Sequence, residues 1–339
     1  MPHEARTRHG PRALALAAAA LAFTESASAQ TGPGLLMEPF PKEQLIHANG
    51  GALFLDSGHV KGSDQSARLS FFETTGRVRI KPGLLESPRV GWDLELIDVD
   101  LGRATADTNP ELGVMPGQLL DQSVGVAFPV AKVDQWIFGV ALGLGYAGGS
   151  PYGESNAFYG KATAVAFRQF SETDALVFVI DYDRNRTFLP DTPLPGIAYT
   201  RRVSKELFYV VGLPLSSVTW TPFDKLTVEF GWLPIESFDA AIGYAIAPHW
   251  TVFGNLEQRS GGFFLDEVED GDRLLFQHRR AEVGVSWAPG RPRERFALTA
   301  AAGYAWGQEF SVGFDARDSD LVADFSDEPY VRFGFEVKF

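Results

Sequence analysis

The chain has no cysteine, so no disulfide can brace it, and its fold must survive an oxidising compartment without covalent staples. Basic residues are in deficit: 30 Lys and Arg stand against 43 Asp and Glu, a formal charge of -13. No cluster of Lys and Arg is present to neutralise phosphates, which excludes nucleic acid as a partner. Beyond residue 29 no uninterrupted apolar run approaches the about 20 residues that a membrane helix needs. If this protein enters a membrane it must do so as a closed barrel, since only helices and closed barrels satisfy every backbone group in lipid. Histidine is scarce, and neither His47, His59, His249 nor His278 falls in an HExxH or paired metal-ligand spacing. The Gly-rich stretch GLGYAGGSPYG matches no phosphate-binding pattern. No catalytic set, metal centre or cofactor is expected.

What is present begins with MPHEARTRHGPRALALAAAALAFTESASAQ. Arg6, Arg8 and Arg12 precede the apolar run Ala13 to Phe23, and Ala27-Ser28-Ala29 follows as a small-residue cleavage site. These are the three parts of a secretory signal peptide, placed at residues 1–29. Its removal takes away three basic and two acidic residues and moves the charge from -13 to -14. Residues 30–67 are poorly periodic and read as a periplasmic lead segment, with one short strand near Ala52 to Leu55. Residues 68–339 read as an outer-membrane barrel.

From Leu69 onward the segments between turn signals alternate with period two, the mark of half-buried strands. In WIFGVALGLGYA, Trp136, Phe138, Val140, Leu142, Leu144 and Tyr146 share one face, and Gly139, Ala141, Gly143 and Gly145 the other. Ten steps of about 3.3 Å, tilted by about 40°, rise about 25 Å, the height of the apolar band of an outer-membrane barrel. Soluble sandwiches alternate too, but here the aromatics collect at strand ends, where rings with one polar atom suit a membrane interface. Trp136, Tyr146, Trp232, Tyr244, Trp250, Trp287, Tyr304 and Trp306 form the expected girdles. Fourteen strands are predicted, in an antiparallel up-and-down barrel with short periplasmic turns and longer acidic outer loops; twelve or sixteen stay open. Leu207 to Thr221 is the ambiguous segment: LPL at 213–215 makes it either one kinked strand or two short ones.

The faces opposite the apolar ones carry Lys225, Glu229, Asp239, Glu257, Arg259, Arg280, Glu282, Arg332, Glu336 and Lys338, with His278 beside them. These are the expected lumen-lining residues, and they hold both signs of charge. Either they line a water-filled passage or they pair into a network that plugs it. Three functions follow: passage or binding of small polar solutes, a closed barrel acting at the surface through its acidic loops, and a rim-sited hydrolase using His278. For His278 the plainer reading is a hydrogen-bonded wall residue. FFLDEVEDGD and FDARDSDLVADFSDEP offer carboxylates for divalent cations such as Ca²⁺, though no twelve-residue calcium loop is present.

Two resemblances complete the reading. FLPDTPLPGIAYTRR and GLPLSSVTWTPFDKLTVEFGW, with the long acidic loop before the last strand, resemble an uncharacterised family of predicted outer-membrane β-barrel proteins, a domain of unknown function. That resemblance covers Leu69 to Phe339 and implies a fold and an outer-membrane location without an activity. The ending PYVRFGFEVKF is similar to the C-terminal signal that barrel-assembly machinery recognises, carried by Val331, Phe333, Phe335, Val337 and Phe339. It implies that machinery and outer-membrane lipid as partners.

Overall fold

A computed structural model describes residues 31–37, 44–56, 58–62, 65–80, 87–101, 115–233, 237–266, 268, 271–289 and 295–339. The expected signal peptide lies outside them. The strands are β1 (Ile46–Leu55), β2 (Gly58–His59), β3 (Ser66–Arg79), β4 (Arg89–Asp100), β5 (Gln118–Val133), β6 (Trp136–Gly148), β7 (Phe158–Gln169), β8 (Asp174–Asp183) and β9 (Leu194–Arg202). They continue as β10 (Leu207–Leu213), β11 (Ser216–Phe223), β12 (Leu226–Leu233), β13 (Ser237–Ala247), β14 (Trp250–Phe263), β15 (Arg273–Trp287), β16 (Arg295–Asp315), β17 (Asp318–Phe325) and β18 (Glu328–Lys338).

Each strand pairs antiparallel with its neighbour, and β1 pairs with both β3 and β18, which closes the sheet on itself. Among the described residues sixteen strands form the ring, while β2 and β17 stand outside it. All fourteen predicted segments fall on strands of the ring. The two additions have separate causes. Leu207 to Thr221 is two strands, β10 and β11, joined at Pro214-Leu215. The other is β1, which runs from Ile46 rather than only over Ala52 to Leu55, so the expected lead segment at 30–67 supplies a stave of the barrel. Its sequence, IHANGGALFL, hides this because Ala48, Gly50, Gly51 and Ala52 blank the middle of the strand, where period two would show.

The chain's last residue and the start of β1 lie at one end, where Leu45 N–H bonds to the Phe339 carbonyl. The connections at that end include the two-residue turns 134–135, 224–225 and 248–249. At the opposite end lie the longer connections 101–117, 149–157, 184–193 and 264–272, and β16 and β17 extend there as a hairpin. The split into short turns and long loops holds in part: β3 and β4 are separated by nine positions at the short-turn end, and β10 and β11 by only two at the other.

The outside of the ring is apolar. Leu144 is 76% exposed and Phe333 58%, and Val124, Ile180, Val211, Ile242 and Val283 are exposed beside them. Trp136, Trp250 and Trp287 lie toward the short-turn end, where Trp250 and Trp287 are cross-strand partners with ring centroids 6.4 Å apart. Trp232 and Tyr304 mark the other level, and both are exposed. Tyr244 is exposed near the short-turn end, and Trp306 is half-buried. Tyr146 departs from the expectation: it is 1% exposed, covered by Tyr152 and Phe158 at 5.1 and 5.2 Å, and it donates its hydroxyl to Glu154. The loop at 149–157 folds over it, so Tyr146 anchors a loop and not a membrane interface. The face formed by Val331, Phe333, Phe335, Val337 and Phe339 points outward, with Val337 half-buried and the rest exposed. No helix among the described residues is long and apolar enough to cross a membrane.

Candidate functional site: a partly filled lumen

Three things fill the inside of the ring. At the long-loop end the inward residues of β1, β3, β4, β14, β15 and β16 form an apolar core in which Phe276 stacks on Phe310 at 4.4 Å and on Phe71 at 5.9 Å. Below it the charged residues pair. Glu73 of β3 accepts from Arg259 at 2.8 Å and from Arg280 at 3.2 Å. Glu257 binds the same two arginines, Arg259 at 3.2 Å. Glu282 is held by Arg332, whose Nε donates at 2.9 Å, and by the Tyr330 hydroxyl at 3.0 Å. Of the two outcomes left open by the sequence, pairing is the one found. Charges taken out of water need such partners, because an uncompensated charge in the interior is costly.

The third filling is the segment 31–37. Residues Pro33–Met37 form a single helical turn, α1, inside the ring against the small-residue face of β5 and β6. Leu35 is fully buried against Ala127 and Ala141, and the Leu35 carbonyl accepts from Arg89 at 3.1 Å. Thr31 donates to Asp93 at 2.8 Å and shares a hydrogen bond with Ser123 at 2.7 Å. A Cβ on Gly125 would stand 2.6 Å from the Thr31 carbonyl, and one on Gly139 2.8 Å from the Leu36 side chain. The glycine face of WIFGVALGLGYA is therefore a seat for residues 31–37.

Among the described residues a cavity of about 330 Å³ lies between this filling and the wall of β8 to β12. Its floor is apolar, with Val177 and Val179 of β8, Ala198 of β9 and Leu215. Above them Asp181, Asp183, Asp121, Lys161 and Glu95 make it polar. Two of its cations are already paired: Lys161 with Asp183 at 3.2 Å, and Arg186 with Asp181. The cavity also reaches Ile197, Leu213 and Trp232, whose side chains face out of the ring and are exposed. It therefore runs from the lumen to the outer face. β10, β11 and β12 are 7, 8 and 8 residues long, below the about 9–11 that a tilted strand needs to cross a bilayer. The wall is low there, a notch in the long-loop rim.

The predicted lumen residues divide by place. Glu257, Arg259, Arg280, Glu282 and Arg332 belong to the paired network. Glu336 pairs with Lys338 and with His47, the latter at 3.1 Å, as a separate group toward the short-turn end. Glu229 is half-buried on β12, and Asp239 lines the cavity. Lys225 is a correction: it occupies the turn 224–225 and is exposed, because a two-residue connection carries it past the end of the strand. His278 is buried and stacks with Phe71 and Phe276 at 5.3 and 5.1 Å, and neither ring nitrogen has a hydrogen-bond partner among the described residues. The hydrogen-bonded wall residue is thus corrected, and among the described residues no hydroxyl is hydrogen-bonded to His278.

Glu73, Glu95, Asp121, Lys161 and Asp183 were not among the predicted residues. Their signal is the same period two, in FFETTGRV, WDLELIDVD, LLDQSVGV, FYGKATAV and VFVIDYD. In the acidic loops Asp324 and Asp327 bind Lys61 at 2.9 and 3.3 Å, and Asp315 binds Arg317. The hydrogen bond to Asp324 raises the pKa of Lys61 above its ordinary value. Among the described residues no group of three or more His, Asp or Glu converges as a metal site. Residues 267, 269 and 270 of FFLDEVEDGD lie outside that description.

No protein-family model matches the chain, and no curated protein matches it in sequence. Among solved structures it is similar to the Pseudomonas putida toluene transporter TodX, with a TM-score of 0.43 and 8% identity over 96% of each chain. It is also similar to a Pseudomonas aeruginosa FadL homologue, with a TM-score of 0.40 and 11% identity over 95% of this chain and 96% of that one. Likeness of this degree carries no argument about cargo.

Proposed function

We propose that this chain is an outer-membrane barrel that binds small solutes in the cavity beneath β8 to β12 and passes them by way of it, not an open diffusion pore. The apolar exterior, banded by aromatic residues at two levels, supports lipid as the surrounding medium. The observation that carries the reading is the cavity itself, which connects polar lumen residues to exposed outward residues at the notch. Its volume lies in the about 300–1,000 Å³ range of small-molecule sites. The C-terminal strand serves the assembly machinery, and an N-terminal signal peptide directs export. The carboxylates of the long loops remain candidates for divalent cations at the cell surface.

The filled lumen beside β14 to β18 favours the other reading, a closed barrel with a structural role. The two separate in proteoliposomes given a panel of labelled sugars, amino acids and alkylamines. Passage through the cavity predicts saturable uptake by the native protein, and its loss when Ala198→Trp fills the cavity. Absence of uptake of every solute by the native protein would favour the closed barrel. Uptake unchanged by Ala198→Trp would place the route elsewhere.

A further inference from the structure

Six carboxylates line the cavity (Asp93, Glu95, Asp121, Asp181, Asp183 and Asp239), against three cations (Lys161, Arg186 and Arg259). The cations are engaged: Lys161 by Asp183, Arg186 by Asp181, and Arg259 by Glu73 and Glu257. Among the described residues Asp121 accepts from two neutral donors, the Tyr159 hydroxyl at 2.6 Å and the Asn185 amide at 3.0 Å. Glu95 has neither a hydrogen bond nor an ion pair among the described residues. It projects across the lumen from β4, and its Oε2 comes within 3.9 Å of where a Cβ on Gly261 of β14 would stand.

That end point adjoins His278. Gly261 is the cross-strand partner of Phe276, and Arg259 that of His278. His278 is 3% exposed, lines the cavity, and has both ring nitrogens unsatisfied. A buried imidazole with no partner at either nitrogen costs free energy that a bound group can recover. Neutral imidazole offers one acceptor, Glu95 offers two acceptor oxygens, and an ammonium brings three N–H donors. The wall beyond, from Val177 and Val179 to Leu215, is apolar.

Resting on the reading of this cavity as the solute site, we infer that its ligand is an amphipathic primary amine, with its ammonium between Glu95 and His278 and its apolar body along Val177, Val179 and Leu215. Anions are disfavoured, since a carboxylate head would meet Glu95 and Asp121 with the nearby cations already taken.

The test is equilibrium binding of hexylamine, hexanoate and 1-hexanol to the full chain in detergent, by calorimetry. Hexylamine should bind about tenfold or more tighter than either of the others, the scale of one charge-assisted hydrogen bond. Glu95→Gln should remove that preference, weakening hexylamine far more than 1-hexanol. His278→Phe keeps a ring between Phe71 and Phe276 and removes both nitrogens. It should weaken hexylamine several-fold and 1-hexanol by less, and it decides the matter if Glu95→Gln fails to fold. Hexanoate or 1-hexanol binding as tightly as hexylamine overturns the inference. So does hexylamine affinity unchanged in whichever variant folds. Because binding involves no transport step, lost uptake with amine preference intact would overturn only the passage reading. Uptake without amine preference would overturn only this one.

Discussion

The two sides of this barrel are built from different staves. β14, β15 and β16 have 14, 15 and 21 residues, and large side chains such as Phe276, Phe310 and Arg280 point inward from β15 and β16. β9 to β12 have 9, 7, 8 and 8 residues, and Ala198, Gly212, Ser217 and Gly231 occupy inward positions. One side is therefore packed and salt-bridged, while the other is low, thin and hollow. Closing a ring of sixteen strands leaves more interior than backbone alone can fill, so side-chain size decides where space remains. The cavity lies where the sequence placed small residues on short strands.

The largest effect that would break this contrast is in the packed side. Arg280→Ala leaves Glu73 and Glu257 short of a partner and should lower stability by about 3–5 kcal/mol, read from urea unfolding in lipid vesicles. A change below about 1 kcal/mol would mean that the network is solvated and the packed side is not closed. A smaller effect sharpens the contrast on the outer face. Val283 stands four residues from Trp287 on a long stave, whereas Leu213 ends a short one at the notch, and both are exposed. Val283→Arg should cost about 2–4 kcal/mol and Leu213→Arg about 0–1, because a charge is tolerated near an interface and not at mid-bilayer. Equal costs would remove the notch.

The barrel itself was legible because its outward-facing residues repeat with a two-residue period, which needs no knowledge of neighbouring strands. Trp92 and Trp220 fit that period and could have joined the girdle. β1 was hidden because Gly50 and Gly51 interrupt the pattern, and Lys225 because a turn of two residues leaves no margin for error at a strand end. The site was less legible for a different reason. Glu73 and Arg259 are 186 residues apart in sequence and meet across the lumen. Residues 31–37 enter the ring as a short Gly- and Pro-containing segment with no period of its own. Contacts through the middle of a ring follow from its closure, and no local pattern records them.

The most direct test of the central claim, a lumen filled on one side and hollow on the other without a continuous aqueous bore, is the conductance of the purified full chain in planar bilayers. A filled lumen predicts insertion without a stable open level in the native protein. A steady ohmic step of porin size from the native chain would contradict it.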